Sequence, residues 1–269
     1  MKFALVNGEK EEATKGAKGV CQLCGSELIA RCGEVNINHW AHKRNRICDP
    51  WWENETDWHR SWKDKFPKDW QEKLHFDESG EKHIADVKTN DDWCIEFQHS
   101  SLNPEECRAR NAFYRKLVWV VDGTRRKRDK LNFHRILDEF AIRSDDPRFK
   151  AIMEQDDCKL IKEWHENKAF VFLDFQDEDK AGNPIIWFLF PKIAENEVNL
   201  LPVLRDYFVE LHKNNRFDEL VEKTIAPIIK KLTHKEKVKV EMEQSRERDR
   251  ERERKARMDR LLYGGRTCR

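Results

Sequence analysis

"IADVKTNDDWCIEFQHSS" (Ile84–Ser101) sets two apolar–polar alternations on either side of an Asn/Asp-rich turn. That pattern reads as a β-hairpin. Successive side chains of a strand point to opposite faces. Ile84, Asp86 and Lys88 therefore share one face of the first strand. In the second, Cys94, Glu96 and Gln98 share a face, and Trp93, Ile95 and Phe97 the other. Acceptors among core-type residues cost stability unless something satisfies them. The turn decides whether the two acids meet. A two-residue loop, Asn90-Asp91, opposes Asp86 to Ile95 and separates the carboxylates. A three-residue loop, Asn90–Asp92, or a bulge opposes Asp86 to Glu96. Facing carboxylates repel and call for a cation, and Mg²⁺ or Mn²⁺ favours such oxygen ligands. An edge hairpin with both acids in water fits the same pattern. With Ile95 and Phe97 facing a core, Glu96 and Gln98 are expected to look towards the helix of Glu55 and His59.

Working outward, "PWWENETDWHRSWKDKF" (Pro50–Phe66) puts Trp58, Trp62 and Phe66 at helical spacing, with Glu55, His59 and Lys63 as a second, polar stripe. "QEKLHFDESG" (Gln71–Gly80) is a short strand closing on a turn. After the hairpin, Asn103 can cap a helix that has Pro104 at its first position and Glu106 three beyond the cap. Arg110 and Tyr114 lie one turn apart on that helix. "LVWVV" (Leu117–Val121) is a continuous apolar run, hence a buried strand. The order is helix, three strands, helix, strand. The basic cluster that follows, Arg125, Arg126, Lys127, Arg128 and Lys130, can bind phosphates or stand as a solvated turn.

Upstream, "CQLCGSELIARCGEVNINHWAH" (Cys21–His42) reads C-x2-C, fourteen residues, H-x2-H. Two close pairs flanking a hairpin gather four tetrahedral zinc ligands, here Cys21, Cys24, His39 and His42, with Cys32 and Cys48 as substitutes. A reduced cysteine pair beside core histidines is the alternative. Fully coordinated zinc staples a small fold and leaves no open position for substrate.

The 269-residue chain is long enough for one sizeable domain or two modest ones. Its 52 basic and 51 acidic residues give a net charge of +1, so charge alone selects no partner. No long apolar run marks a membrane span or signal peptide, and a cytoplasmic location is expected. There, eight cysteines serve as thiols or metal ligands rather than disulfides. The expected segments are a zinc-ribbon-like module (1–50), a core (51–145), an α/β region (146–235) and a charged helical or disordered tail (236–269). Asp145–Pro147 marks the second boundary. Lys168–Phe175 and Ile185–Pro191 form another hairpin, with a helix around Leu200–Leu211. The tail Ser245–Arg260 has no apolar stripe, and docking a protein partner or self-association is a role open to it.

"CQLC", "HWAH", "ETDWHRSWK", "IADV", "IEFQHS" and "RNAFY", in this order over roughly residues 20–122, resemble the competence protein CoiA-like family. The resemblance implies an α/β (α+β) fold with a PD-(D/E)xK, restriction-endonuclease-like αβββαβ core, a zinc-ribbon-like N-terminus and an α/β C-terminal extension. It implies a Mg²⁺- or Mn²⁺-dependent deoxyribonuclease of low sequence specificity. Asp86 and Glu96 would bind the catalytic metal, and Gln98 would stand where many relatives carry Lys. Glu55, His59 and Lys63 would assist, with His59 or Lys63 supplying the missing positive charge. Arg110, Tyr114 and the Arg125–Lys130 loop would hold DNA. A DNA-binding adaptor with a decayed core is the rival of another class.

Overall fold

The computed structural model describes residues 1–34, 37–43, 48–139, 141–142, 150–153, 158–195 and 197–263. The chain divides into two units, Met1–Asp218 and Glu219–Arg269.

The first unit opens with a five-stranded antiparallel sheet in the order β2-β1-β3-β4-β5. Its strands are β1 (Phe3–Val6), β2 (Glu9–Glu12), β3 (Lys18–Val20), β4 (Glu27–Arg31) and β5 (His39–His42). A small core of Ala4, Leu23, Leu28 and Trp40 lies beneath it.

A nine-stranded sheet follows, ordered β10-β11-β14-β13-β12-β9-β8-β7-β6. Its chain order begins α1 (Asp57–Lys63), β6 (Gln71–Phe76), β7 (Lys82–Lys88), β8 (Cys94–Gln98), α2 (Pro104–Phe113) and β9 (Leu117–Asp122). The expected succession of helix, three strands, helix and strand is therefore present. β6, β7 and β8 pair antiparallel, and β8 pairs parallel with β9. β9 is buried along its whole length, as its unbroken apolar run demands. Gly123 ends it where a Cβ would strike the Phe175 ring at 2.3 Å. α2 starts as its sequence specifies, with Asn103 Oδ1 accepting from the Glu105 N–H at 2.8 Å and Pro104 in the first turn.

The remaining elements are α3 (Asp129–Glu139), β10 (Ala141–Ile142), β11 (Lys150–Met153), α4 (Lys159–Trp164), β12 (Phe170–Glu178), β13 (Pro184–Leu189), β14 (Glu197–Leu204) and α5 (Arg205–Lys213). β12 hydrogen-bonds in parallel to β9, so the sheet continues past residue 145 rather than ending at a domain boundary. Asp145–Pro147 itself lies outside the described residues. β12 and β13 form the expected second hairpin. The helix expected at Leu200–Leu211 begins only at Arg205, because Val198–Leu204 pairs with β13 as a strand. Aromatic packing gives the unit three layers. Trp62 of α1 stacks on Phe97 at 5.5 Å and Phe208 of α5 meets Phe172 at 4.7 Å on one face. Phe133 of α3 stacks on Phe175 at 4.1 Å and Trp164 of α4 meets Trp119 at 5.2 Å on the other.

The second unit is dominated by one helix, Ala226–Tyr263. Its charges pair at i,i+3, as in Lys239–Glu236 at 3.7 Å and Arg252–Asp249 at 3.9 Å. Among the described residues no helix is long and apolar enough to cross a membrane.

Candidate active-site cleft and metal cluster

Thr89 and Trp93 close the β7–β8 turn through the Thr89 N–H and the Trp93 carbonyl at 2.9 Å. The loop between them, Asn90–Asp92, has three residues, and Asp92 adopts φ +67°, the left-handed region an αL turn residue needs. The register is Val87↔Ile95 and Lys88↔Cys94. It sets Asp86 opposite Glu96. The ladder stops there, because Asp86 Oδ2 accepts the Phe97 N–H at 3.0 Å. A side chain thus takes a strand donor, and beyond Val87 the two strands part.

A cleft of about 380 Å³ opens at this point. Its acids are Asp49, Glu53, Glu55, Glu72, Asp86 and Glu96, against the cations Lys63 and Arg110. Lys63 is buried and lies 3.1 Å from Glu55, 3.1 Å from Glu72 and 3.3 Å from Asp86. Burial alone would lower its pKa, but Glu72, Asp86 and Glu55 outweigh it and raise it. Glu72 is likewise buried. Its carboxylate accepts the Lys2 N–H at 2.7 Å and the Phe3 N–H at 2.9 Å. Burial opposes its charge, yet Lys63 and those two N–H groups bring its pKa down to about 2.

Glu96 has the opposite environment. Burial, then the neighbouring Asp86 charge, push its pKa up to about 8, with Arg110 and Tyr114 pulling back. Arg110 Nη1 donates to its Oε2 at 3.2 Å, while Oε1 is buried with no hydrogen-bond partner. Glu96 does not face α1 as expected. Trp62 of α1 occupies the Phe97 face, so alternation turns Glu96 towards α2.

The other expected residues fall into place by contact. The helix expected over Pro50–Phe66 spans only Asp57–Lys63. Thr56 is its N-cap, and His59 closes a capping box with it. Glu55 therefore precedes the helix and reaches Lys63 from an extended segment. His59 is buried, its Nε2 3.1 Å from Glu53. Glu53 also accepts from Gln98 Nε2 at 2.7 Å and from the Ser100 N–H and hydroxyl. Gln98 thus has its amide N–H committed. Arg110 is buried between Trp51 and Trp119, bonded to Glu106, Glu96 and the Trp51 carbonyl. Tyr114 is buried beside Glu96. Neither side chain lies on the surface. Arg125 and Arg126 pair with Glu163 at 2.6 and 2.9 Å, and Arg126 with Asp129 at 2.6 Å. Lys130 pairs with Asp177 at 3.0 Å, while Lys127 and Arg128 are exposed.

Three residues of the cleft carry no signal in the sequence. Glu53 sits in an irregular segment. Glu72 stands in a short strand, at φ +44°. Asp49 takes His83 Nδ1 at 2.8 Å and the Ile84 N–H at 3.0 Å, which fixes the segment after Cys48 to β7.

Cys21, Cys24, His42 and Cys48 bring their ligand atoms within 4.8 Å of one another and can hold a zinc ion. Cys48 takes the place assigned to His39. In β5, residues three apart point to opposite faces, so His39 and His42 cannot converge. His39 Nδ1 bonds instead to the Ile37 carbonyl at 2.8 Å. Three soft thiolates and one imidazole at tetrahedral reach suit Zn²⁺. Replacing Cys48 by Ser should therefore remove zinc, while His39→Ala keeps one equivalent, measured by metal analysis of the purified protein. Loss of zinc in His39→Ala with retention in Cys48→Ser would reverse the assignment.

No curated protein and no solved structure matches the chain. Residues 6–50, which carry β2 to β5 and all four ligand residues of the cluster, match the family model for the competence protein CoiA N-terminal domain, and this supports the CoiA-like resemblance.

Proposed function

We propose that the cleft hydrolyses DNA phosphodiester bonds with a divalent cation, as a CoiA-like nuclease with a restriction-endonuclease-like core. The observation that carries this is the buried, unpartnered Oε1 of Glu96 set opposite Asp86. Two facing carboxyl groups with an orphaned oxygen are a poor arrangement in isolation and a good one for a hard cation. The order α1-β6-β7-β8-α2-β9, with β8 parallel to β9, is compatible with that core.

Asp86 and Glu96 would hold Mg²⁺ or Mn²⁺. Such an ion lowers the pKa of bound water and offsets charge on a scissile phosphate. The remaining work falls to the chain. Lys63 favours the charged form of Glu55, lies 3.3 Å from Asp86 and brings positive charge to the metal side of the cleft. It does so from α1, while Gln98 spends its amide on Glu53 and Ser100 and ties the end of β8 in place. Arg110 fixes Glu96 rather than gripping DNA. Exposed Lys127 and Arg128 are left to meet phosphates, with salt-dependent affinity. None of the roles assigned here to the described residues reads base edges, and low sequence specificity is part of this reading. We place the protein in the cytoplasm on this reading.

The test is cleavage of plasmid duplex and circular single-stranded DNA with Mg²⁺ or Mn²⁺. Asp86→Ala and Glu96→Ala should each lose about 100-fold or more, the scale of removing a group that stabilises developing charge. Equal activity in all three proteins, or none in wild type, rejects the assignment. DNA binding that needs no metal and survives Glu96→Gln, without cleavage, would favour the adaptor.

A further inference from the structure

Cys48 of the metal cluster and Glu96 of the cleft are joined by a continuous run of contacts. Cys48–Trp51 belongs to no strand or helix, so its position depends on what grips it. At one end, Cys48 Sγ lies 3.7 Å from Cys21 Sγ within the cluster. Asp49 follows, buried, with Oδ1 accepting the Trp51 N–H at 3.0 Å and Oδ2 the Ile84 N–H of β7 at 3.0 Å. The Trp51 ring stacks on His83 of β7 at 3.4 Å and meets Phe113 of α2 edge-on at 5.2 Å. At the other end, the Trp51 carbonyl accepts from Arg110 Nη2 at 2.7 Å, and Arg110 Nη1 donates to Glu96 Oε2 at 3.2 Å. Cys48, Asp49, Trp51, Glu96 and Arg110 all line the cleft.

The guanidinium is thereby shared out. Its Nε donates to Glu106 at 3.0 Å, Nη2 to Glu106 and the Trp51 carbonyl, and Nη1 to one oxygen of Glu96. The other oxygen, Oε1, is buried with no hydrogen-bond partner. Arginine and a carboxylate favour two parallel N–H···O bonds. A guanidinium that lost the Trp51 carbonyl would therefore turn its freed N–H to Oε1. That is the oxygen a divalent cation needs. The Trp51 carbonyl holds the fork half open, and the segment from Cys48 holds the carbonyl.

Resting on the reading of Asp86 and Glu96 as a cation site, we propose that zinc in the Cys21, Cys24, His42 and Cys48 cluster sets the divalent-cation affinity of the cleft through Cys48–Trp51. Asp49 and Arg110 are the positioning residues. Cys48, tied into the cluster by zinc, anchors the segment. The Trp51 carbonyl then keeps Arg110 on a single oxygen of Glu96, and Oε1 stays open for Mg²⁺ or Mn²⁺. Without zinc the segment loses one of its anchors, Arg110 closes on both oxygens, and the guanidinium competes with the ion. The cluster is thus more than a staple for its own sheet.

The test reads Mn²⁺ binding from the paramagnetic resonance signal of the free ion, with Glu96→Gln as the blank for ions held elsewhere. Wild type is stripped of zinc by a chelator and then freed of the chelator. It should bind Mn²⁺ about tenfold more weakly, the low end for removing an outer support of a metal ligand. One equivalent of Zn²⁺ should restore the affinity. Asp49→Asn must turn an amide N–H towards one of the two backbone donors. It should keep its equivalent of zinc yet bind Mn²⁺ as weakly as stripped wild type. Arg110→Lys carries an ammonium that cannot close on both oxygens, so stripping its zinc should change Mn²⁺ affinity less than about threefold. If stripping unfolds the first sheet, Asp49→Asn decides alone. Unchanged Mn²⁺ affinity in stripped wild type or in Asp49→Asn, or a full zinc effect in Arg110→Lys, overturns the proposal. A wild type that binds no more Mn²⁺ than Glu96→Gln instead rejects the cation site at Asp86 and Glu96, and this coupling falls with it.

Discussion

Replacing Lys63 by Met should destabilise the first unit by about 3–5 kcal/mol, the cost of stranding buried charges by deleting their partner. For a unit spanning Met1–Asp218 this is a fall of about 10 °C in thermal midpoint. The ammonium of Lys63 stands against three carboxylates, Glu55, Glu72 and Asp86, within 3.3 Å. Without it, Glu72 stays buried with the Lys2 and Phe3 N–H groups and the more distant charge of the N-terminal ammonium to offset its own. The pH dependence has a definite sign. A carboxylate whose folded pKa lies near 2 stabilises above the ordinary carboxylate pKa of 4.5, and this is lost as pH falls towards 2. In Lys63→Met that contribution is gone and the stranded acids take up protons more readily, so the deficit against wild type narrows between pH 7 and pH 4. The control is Lys43→Met, whose partner Glu27 is as exposed as Lys43 itself. It should leave the midpoint unchanged, as surface pairs do. Thermal melts followed by circular dichroism decide the matter. A loss below about 1 kcal/mol in Lys63→Met, or one that does not depend on pH, would show that water already screens the cluster.

How far the sequence foretells this arrangement depends on whether the signal is local. The α2 cap and β9 are legible because Asn103-Pro104 and an unbroken apolar run each specify their own geometry. The β7–β8 turn is legible as a choice between two loop lengths. What settles it is Asp92 at positive φ together with Thr89 Oγ1, which bonds to Asp91 Oδ1, the Trp93 N–H and the Trp93 carbonyl. The H-x2-H spacing misleads for a definite reason. The same interval converges in a turn and diverges in a strand, and β5 is a strand. Cys48 then completes the cluster although it lies six residues past His42. The aromatic spacing of Trp58, Trp62 and Phe66 marks the helix correctly but not its start, which Thr56 sets by capping. Long-range partners are the part that stays hidden. Glu163 pairs with Arg125 and Arg126 from α4, and Glu72 of β6 meets Lys63 of α1. No spacing rule connects residues brought together only by the sheet.

Glu96→Gln should raise the thermal midpoint, and by more at pH 8 than at pH 5. The folded protein holds the Glu96 proton until about pH 8, whereas the unfolded chain releases it near the ordinary 4.5. Stability from that proton is complete below pH 4.5 and drains away as pH rises to 8. Glutamine has nothing to release, and its amide can still accept from Arg110, so the variant lacks this downward slope. A divalent cation should act in the opposite sense on wild type. It needs the ionised carboxylate, so its binding expels the proton and gains strength as pH rises. Saturating Mg²⁺ should therefore stabilise wild type more at pH 8 than at pH 6, by mass action on the folded state alone. Glu96→Gln should show little of that gain, and Asp86→Asn should lose it as well while lowering the Glu96 pKa, since the neighbouring charge is removed. The four melts, wild type and Glu96→Gln with and without Mg²⁺ across pH 5–8, separate an acidic metal site from a merely frustrated one. Stabilisation by Glu96→Gln with no Mg²⁺ effect on wild type would mean that Glu96 is a buried acid with Arg110 as its partner and no ion to serve.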